Sequence, residues 1–291
     1  MRLRPRVRPR VRHLTGAAII ATLALTLVGC ANKSGSGGQG ASGGSGSKKF
    51  APLTLNPSQV VAASATKTLL AGSAKMSMTT EVTATTPTTK TTAIRADGAF
   101  NFAKHQGTLV FHFPQLGDVQ AVFVNSVVYE RLGALLKTGK PWIRIDLTKL
   151  LGKGANLSSA DQTGGDPSQS LAYLFGASGV TKIGSDSIRG ATTTHYRGTL
   201  DLTKATQKLS PQFQAFYQKL LQSTGTKVTS GIPSDLWIDG QGRLRRMSYT
   251  VKVTTSTLSA STTKSTIDYY AFGTPVSVQV PPADQVTSLG G

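Results

Sequence analysis

The stretch SDLWIDGQGRLRRMSYTVKVT, residues 234–254, decides the fold class. Its second half alternates. Met247, Tyr249, Val251 and Val253 point one way; Arg246, Ser248, Thr250 and Lys252 point the other. A period of two marks a strand with one buried and one wet face. Between the halves, Asp239-Gly240-Gln241-Gly242 supplies the turn chemistry of a hairpin. Hairpins join antiparallel strands, and an antiparallel sheet keeps one face for the core and the other for water.

The same signal recurs outward along the chain. Leu109, Phe111 and Phe113 share a face opposite Val110 and His112. Strands are expected over 75–84, 91–102, 107–113, 119–124, 127–131, 142–146, 192–200, 234–239, 243–254 and 263–272. Nine of the 14 residues of 79–92 are Thr, which reads as a hairpin bent at Thr86-Pro87. The segment TTSTLSASTTKST (254–266) reads as a second polar hairpin.

Three helices open on one signal, a capping residue before a proline: Asn56-Pro57, Asp166-Pro167 and Ser210-Pro211. The first runs from Pro57 to about Ala71. The second places Leu171, Leu174 and Phe175 on one face. The third carries Phe213, Phe216, Tyr217, Leu220 and Leu221, an i, i+3, i+4, i+7, i+8 stripe. A long antiparallel sheet curls because strands twist. The fold class is therefore α+β: one large curled antiparallel sheet with helices packed over its concave face. Candidate linings of a space between them are Leu109, Phe111, Phe113, Phe123, Leu171, Phe175, Phe213, Phe216, Met247, Tyr249 and Val251. A packed core produces the same periodicity as a lined cavity, so each is equally a core position.

Upstream of the sheet the chain changes character. Residues 1–13 hold six arginines and no acid, and 14–28 are largely apolar. That apolar run is shorter than the roughly 20 residues a membrane span needs. Residues 1–29 read as a secretory signal ending in Leu27-Val28-Gly29-Cys30, which resembles a bacterial lipobox. The resemblance implies cleavage between Gly29 and Cys30, diacylation of the Cys30 thiol and, in some bacteria, acylation of the new amino group. A thiolate is the nucleophile suited to that step, and two or three acyl chains hold a membrane where one does not. Residues 30–49 then form the lipidated Cys and a tether, with 12 Gly or Ser among the 19 residues of 31–49. The folded part, 50–291, carries every aromatic residue and reads as one domain.

Formal charge is +19, from 32 Lys+Arg against 13 Asp+Glu. Removing the signal takes six arginines and no acid, leaving 26 − 13 = +13 on an exported chain. Export and dispersed cations argue against nucleic acid as the partner. The densest group, Arg243, Arg245 and Arg246, is a candidate for attraction to anionic lipid or wall polymer. One cysteine excludes an intramolecular disulfide, and the four histidines show no metal-ligand spacing. No metal site, cofactor or catalytic residue is assigned. The one match to G-x-S-x-G, at 40–44, falls in the tether and not at a strand-to-helix turn. His195 with Asp201 or Asp235 is the available triad material. The Gly-rich stretch 152–165 is a candidate flap.

A family resemblance covers 53–286 and the lipobox. Its carriers are Asp166-Pro167 with Leu171 and Leu174, then Gly190-Ala191-Thr192-Thr193-Thr194-His195-Tyr196-Arg197-Gly198. They continue through Pro233-Ser234-Asp235-Leu236-Trp237-Ile238-Asp239, the strand from Gly242 to Met247, Phe272-Gly273-Thr274-Pro275-Val276 and Val280-Pro281-Pro282-Ala283. These resemble the actinobacterial LppX/LprG-type lipoproteins, which share the fold of the carriers LolA and LolB. The resemblance implies a half-open β-barrel with helices across its mouth. It also implies an acylated lipid or lipoglycan ligand carried within the cell envelope by a lipid-anchored monomer on the outer face of the cytoplasmic membrane, with a membrane transporter as candidate partner. The alternative it implies is a non-catalytic envelope sensor of the same fold. No ligand residue carries over by motif.

Overall fold

The computed structural model describes residues 55–85, 89–133, 136, 139–146, 167–201, 218, 222, 227–228, 231–254 and 261–289. The signal segment, Gly29, Cys30, the tether, the bend at Thr86-Pro87, the 152–165 flap and the Phe213/Phe216 helix stripe lie outside them.

Helix α1 (Pro57–Leu69) begins as its sequence dictates. Asn56 Oδ1 accepts from the Gln59 backbone N–H at 3.0 Å, and Gln59 Oε1 accepts from the Asn56 N–H at 2.9 Å. This reciprocal box satisfies two donors that a helix start leaves open. The buried stripe is Val61, Ser64, Ala65 and Thr68. Small side chains there let the helix lie close on the sheet. Gly72, at φ +77°, turns the chain out of the helix.

The sheet is built from β1 (Ser73–Thr85), β2 (Thr89–Asn101), β3 (Gln106–Phe113), β4 (Gly117–Val124), β5 (Val127–Arg131), β6 (Trp142–Asp146) and β7 (Ala177–Ile188). It continues with β8 (Ala191–Asp201), β9 (Lys227–Val228), β10 (Gly231–Asp239), β11 (Leu244–Thr254), β12 (Ser261–Tyr270) and β13 (Val286–Leu289). Among the described residues these thirteen strands form one sheet, in the order β13-β6-β5-β4-β3-β2-β1-β12-β11-β10-β8-β7. β9 pairs with the far end of β11. Every pairing is antiparallel except β13 on β6. The sheet curls without closing, so the expected curled antiparallel architecture holds.

Two glycines locate tight packing within the curl. A Cβ on Gly98 of β2 would fall 2.0 Å from the Thr108 carbonyl, and one on Gly107 of β3 would fall 2.4 Å from the Phe100 ring. Phe100 and Leu109 stand directly opposite Gly107 and Gly98 and cover their bare backbones.

The structure adds strands that composition hid. β7, ASGVTKIGSDSI, is glycine- and serine-rich and exposed at most positions. It pairs with β8 through irregularities at Ser178/Thr181 and Lys182/Gly184, as an edge strand with water beside it does. β13 is a four-residue return of the C-terminal tail.

The helix after Asp166-Pro167 is a 3-10 helix, Pro167–Gly176. Leu171, Ala172, Tyr173 and Leu174 are all buried, and a period of three stacks Leu171 over Leu174. That tighter period rotates Phe175 away from the line it would share with Leu171 in an α-helix. Phe175 is consequently 45% exposed and stands outside the hydrophobic cluster that holds Leu171 and Leu174.

Candidate functional site

One row of side chains crosses the sheet without a break. Register places Val119 opposite Phe111, Phe111 opposite Ala96, Ala96 opposite Met78, and Met78 opposite Ile267. Ile267 then faces Met247, Met247 faces Leu236, and Leu236 faces Tyr196. All eight belong to one hydrophobic cluster, Met78 as a partly buried member. Side chains directly opposite each other share a face, so this row is the floor of the concave side. Leu109, Ala121 and Phe123 extend it on β3 and β4, where the Phe100 and Phe123 rings meet edge-on at 6.1 Å.

The next row toward the β1–β2 hairpin carries hydroxyls. Thr80 faces Ser265, Ser265 faces Tyr249, and Tyr249 faces Ser234. Thr80 Oγ1 and Ser265 Oγ share a hydrogen bond of 3.1 Å, and Ser234 Oγ donates to the Ile232 carbonyl at 3.0 Å. Burial pushes the Tyr249 hydroxyl up, against the opposing effect of its bond with Ser265. Thr80, Ser234 and Ser265 are all buried. The hydroxyl row escaped the sequence reading, although each member stands in phase with the apolar positions of its own strand.

The proposed linings separate by depth. Leu109, Phe111, Phe123, Leu171 and Met247 are buried in the cluster; Phe113, Tyr249 and Val251 are partly buried and pack on it. The Phe111 and Phe113 rings stack at 6.3 Å. The concave face thus grades from close packing under α1 to more open apolar surface near the β1–β2 hairpin. Glu130 is a further concave-face residue that sequence reading missed. It faces Ala121 and Ile143, and burial raises its carboxyl.

The convex face holds the ion pairs. Arg243, Arg245 and Arg246 do not form an open cationic patch. Arg243 Nη2 donates to Asp239 Oδ2 at 2.8 Å, and Arg245 Nε lies 3.0 Å from the same oxygen in an ionic contact without directed hydrogen-bond geometry. Both guanidiniums also sit over the Phe272 ring, at 4.4 and 5.2 Å. Arg246 donates to Asp268 through Nε at 2.6 Å and Nη2 at 2.8 Å, and Arg189 Nε donates to the same carboxylate at 2.8 Å. Burial alone would raise the Asp239 and Asp268 carboxyls, but the bonds from these arginines outweigh it and hold both below their ordinary range. Sequence spacing could not show this, because Asp268 lies on β12, beside Arg246 only in the folded sheet.

His195 meets Asp235 and not Asp201. Its Nε2 is 2.7 Å from Asp235 Oδ1, which also accepts from Arg197 Nε at 2.9 Å. The imidazole stacks on Trp237 at 4.4 Å and 6°, and Trp237 Nε1 donates to Asp186 at 3.1 Å. This cross-strand cluster braces β7, β8 and β10. Among the described residues no group of His, Cys, Asp and Glu has the geometry to hold a metal ion. None of their helices is long and apolar enough to cross a membrane.

No protein-family model matches the chain. It is similar to an uncharacterized 31.2 kDa protein of Streptomyces griseus from the rplA-rplJ intergenic region, 29% identical over 183 residues. That match covers 60% of this chain and 57% of the relative, so the chain spans just over half of the relative's length. Among solved structures it is similar to LprF from Mycobacterium bovis (16% identity, 77% of this chain and 96% of that one, TM-score 0.43). It is also similar to the lipoprotein LppX from Mycobacterium tuberculosis (16% identity, 75% and 98%, TM-score 0.41). A LolA superfamily protein from Nitrosomonas europaea is similar at 9% identity, 79% and 97% coverage and a TM-score of 0.28.

Proposed function

We propose that this chain is a membrane-anchored, non-enzymatic lipoprotein that binds the acyl chains of a lipid or lipoglycan on the concave side of its sheet and carries them within the cell envelope. The observation that carries the reading is the unbroken row from Val119 to Tyr196, eight apolar side chains on one side of a sheet that does not close. Acyl chains would lie where this face is more open, beside Phe113, Tyr249 and Val251, and their burial is driven by about 0.8 kcal/mol per CH₂ taken from water. The hydroxyl row beside it suits the ester and hydroxyl groups where acyl chains meet a polar head. The lipobox at Cys30 accounts for how such a domain stays at its membrane.

Native mass spectrometry of the full-length chain tests the binding, and movement of labelled phospholipid between two vesicle populations tests the carrying. Co-purified lipid near one-to-one stoichiometry, with transfer that rises with protein concentration, is the expected result. A protein mass free of lipid overturns the binding. Binding without transfer overturns the carrier role and leaves a lipid sensor.

A further inference from the structure

The hydroxyl row suits the ester junction but leaves a charged head group unassigned, and the rim of the sheet supplies a place for that. A cleft of about 350 Å³ opens where β2 runs past the end of β3, lined by Ala93, Arg95, His112, Phe113 and Pro114. We propose that this cleft is an oxyanion subsite that takes the phosphate of an amphiphile whose acyl chain lies on the concave face. The inference rests on the lipid-binding reading and deepens it.

Three observations converge on the cleft. Arg95 and His112 stand directly opposite each other on β2 and β3, so both polar groups belong to one spot on the outer face. Arg95 makes no ion pair or hydrogen bond among the described residues. Its planar fork of donors therefore remains available for a phosphate, the geometry it matches best. His112 is held in place from behind. Its Nδ1 lies 2.8 Å from Asp118 Oδ1; with the Nδ1 proton in that bond, Nε2 is an acceptor and meets a phosphate through the hydrogen of its P–OH group. The third observation is the wall. Phe113 lines the cleft, packs on the hydrophobic cluster and stacks on Phe111, which belongs to the apolar row. An amphiphile with its phosphate at Arg95 would turn its chain round the rim at Pro114 and Phe113 to reach Phe111 on the opposite, concave face.

The nearby acids set the charge of the ligand. Asp118 is engaged by His112; Asp97 stands two positions along β2 from Arg95, and Glu81 on β1 faces Ala93. One free guanidinium between such neighbours suits a single phosphate and not a polyanion.

Calorimetric titration of the full-length chain with dodecyl phosphate, dodecanol and inorganic phosphate tests this, with each amphiphile below its micelle concentration. Wild type is compared with Arg95→Gln and His112→Gln, both at exposed positions. Dodecyl phosphate is expected to bind about tenfold tighter than dodecanol, the scale of one charge-assisted hydrogen bond. Both variants should lose that preference while keeping their affinity for dodecanol. Equal binding of the two amphiphiles in wild type, or a preference that survives Arg95→Gln, overturns the subsite and leaves the acyl-binding reading standing. Inorganic phosphate binding that Arg95→Gln abolishes, with no dodecanol binding, assigns the cleft to a free anion and overturns the acyl reading. No binding of any probe overturns both. If a variant fails to fold, the wild-type preference decides through raised sodium chloride: an oxyanion contact weakens with salt, and an unchanged preference overturns it.

Discussion

Thr68 Oγ1 accepts the backbone N–H of Leu244 at 2.9 Å, joining the last turn of α1 to the first residue of β11 across 176 positions of sequence. The same hydroxyl donates to the Ser64 carbonyl at 2.7 Å, so its proton and its lone pair are both used. Both residues are fully buried. Thr68→Val keeps the shape and removes the acceptor, leaving the Leu244 N–H unsatisfied. The expected loss is about 1–3 kcal/mol. A domain of this size loses roughly 2–4 °C of Tm per kcal/mol, so calorimetry should show a drop of several degrees, largely restored by Thr68→Ser.

Gly98 and Gly240 give a paired test of the curl. A Cβ at Gly98 would enter the Thr108 carbonyl, whereas one at Gly240 meets nothing within 4 Å. Gly98→Ala forces β2 and β3 apart against backbone that cannot give way, and overpacking of this kind costs about 3 kcal/mol. Gly240→Ala should be near neutral. Urea unfolding curves compare the two directly.

The strands legible in the sequence were those with one dry face and one wet face. On β11 the alternation of Met247, Tyr249 and Val251 against Arg246, Ser248 and Thr250 survives intact in the sheet. β7 was illegible because its two faces are nearly equally wet, so Ile183 and Lys182 are both exposed and no period of two develops. The 3-10 geometry was not legible because Leu171, Leu174 and Phe175 also satisfy the α spacing, while the burial of four consecutive residues, Leu171 to Leu174, goes with the tighter turn. The arginine cluster misled for a different reason. Its counter-charges, Asp239 and Asp268, reach Arg245 and Arg246 across a turn or a strand pairing, and a one-dimensional count sees only the cations. The apolar floor was legible strand by strand; its continuity was not, because continuity is a property of register.

Asp268 should dominate the acid limb of stability. Its carboxyl is held below the ordinary carboxylate range by Arg246 and Arg189 despite its burial. Such a group stabilises fully above the unfolded-state value, near 3.9 for Asp, and that stability is lost as pH falls through the depressed folded value. Asp268→Asn replaces one accepting oxygen with an NH₂ donor and removes the negative charge shared by two guanidiniums. Both are partly exposed, so the loss is discounted to about 2 kcal/mol. Unfolding at pH 7 and at pH 3 should show the variant's deficit shrinking in acid.

Cys30→Ser tests the anchor separately from the fold. The substitution removes the thiol on which the proposed diacylation depends and touches none of the described residues. The protein should keep its circular dichroism spectrum and move from the membrane to the soluble fraction. Membrane retention after a salt wash would place the attachment elsewhere.

Glu130 carries the opposite sign to Asp268. Burial between Ala121 and Ile143 raises its carboxyl, and no guanidinium among the described residues compensates. A carboxyl with a raised folded value contributes stability below the unfolded value, and that contribution disappears as pH rises through the folded one. At neutral pH the charge is therefore held at a loss. Glu130→Gln keeps the shape and removes the charge, so its Tm should exceed wild type at pH 7 and match it near pH 4. A variant less stable at both pH values would mean that the carboxylate has a partner in the fold and that burial is not the controlling effect.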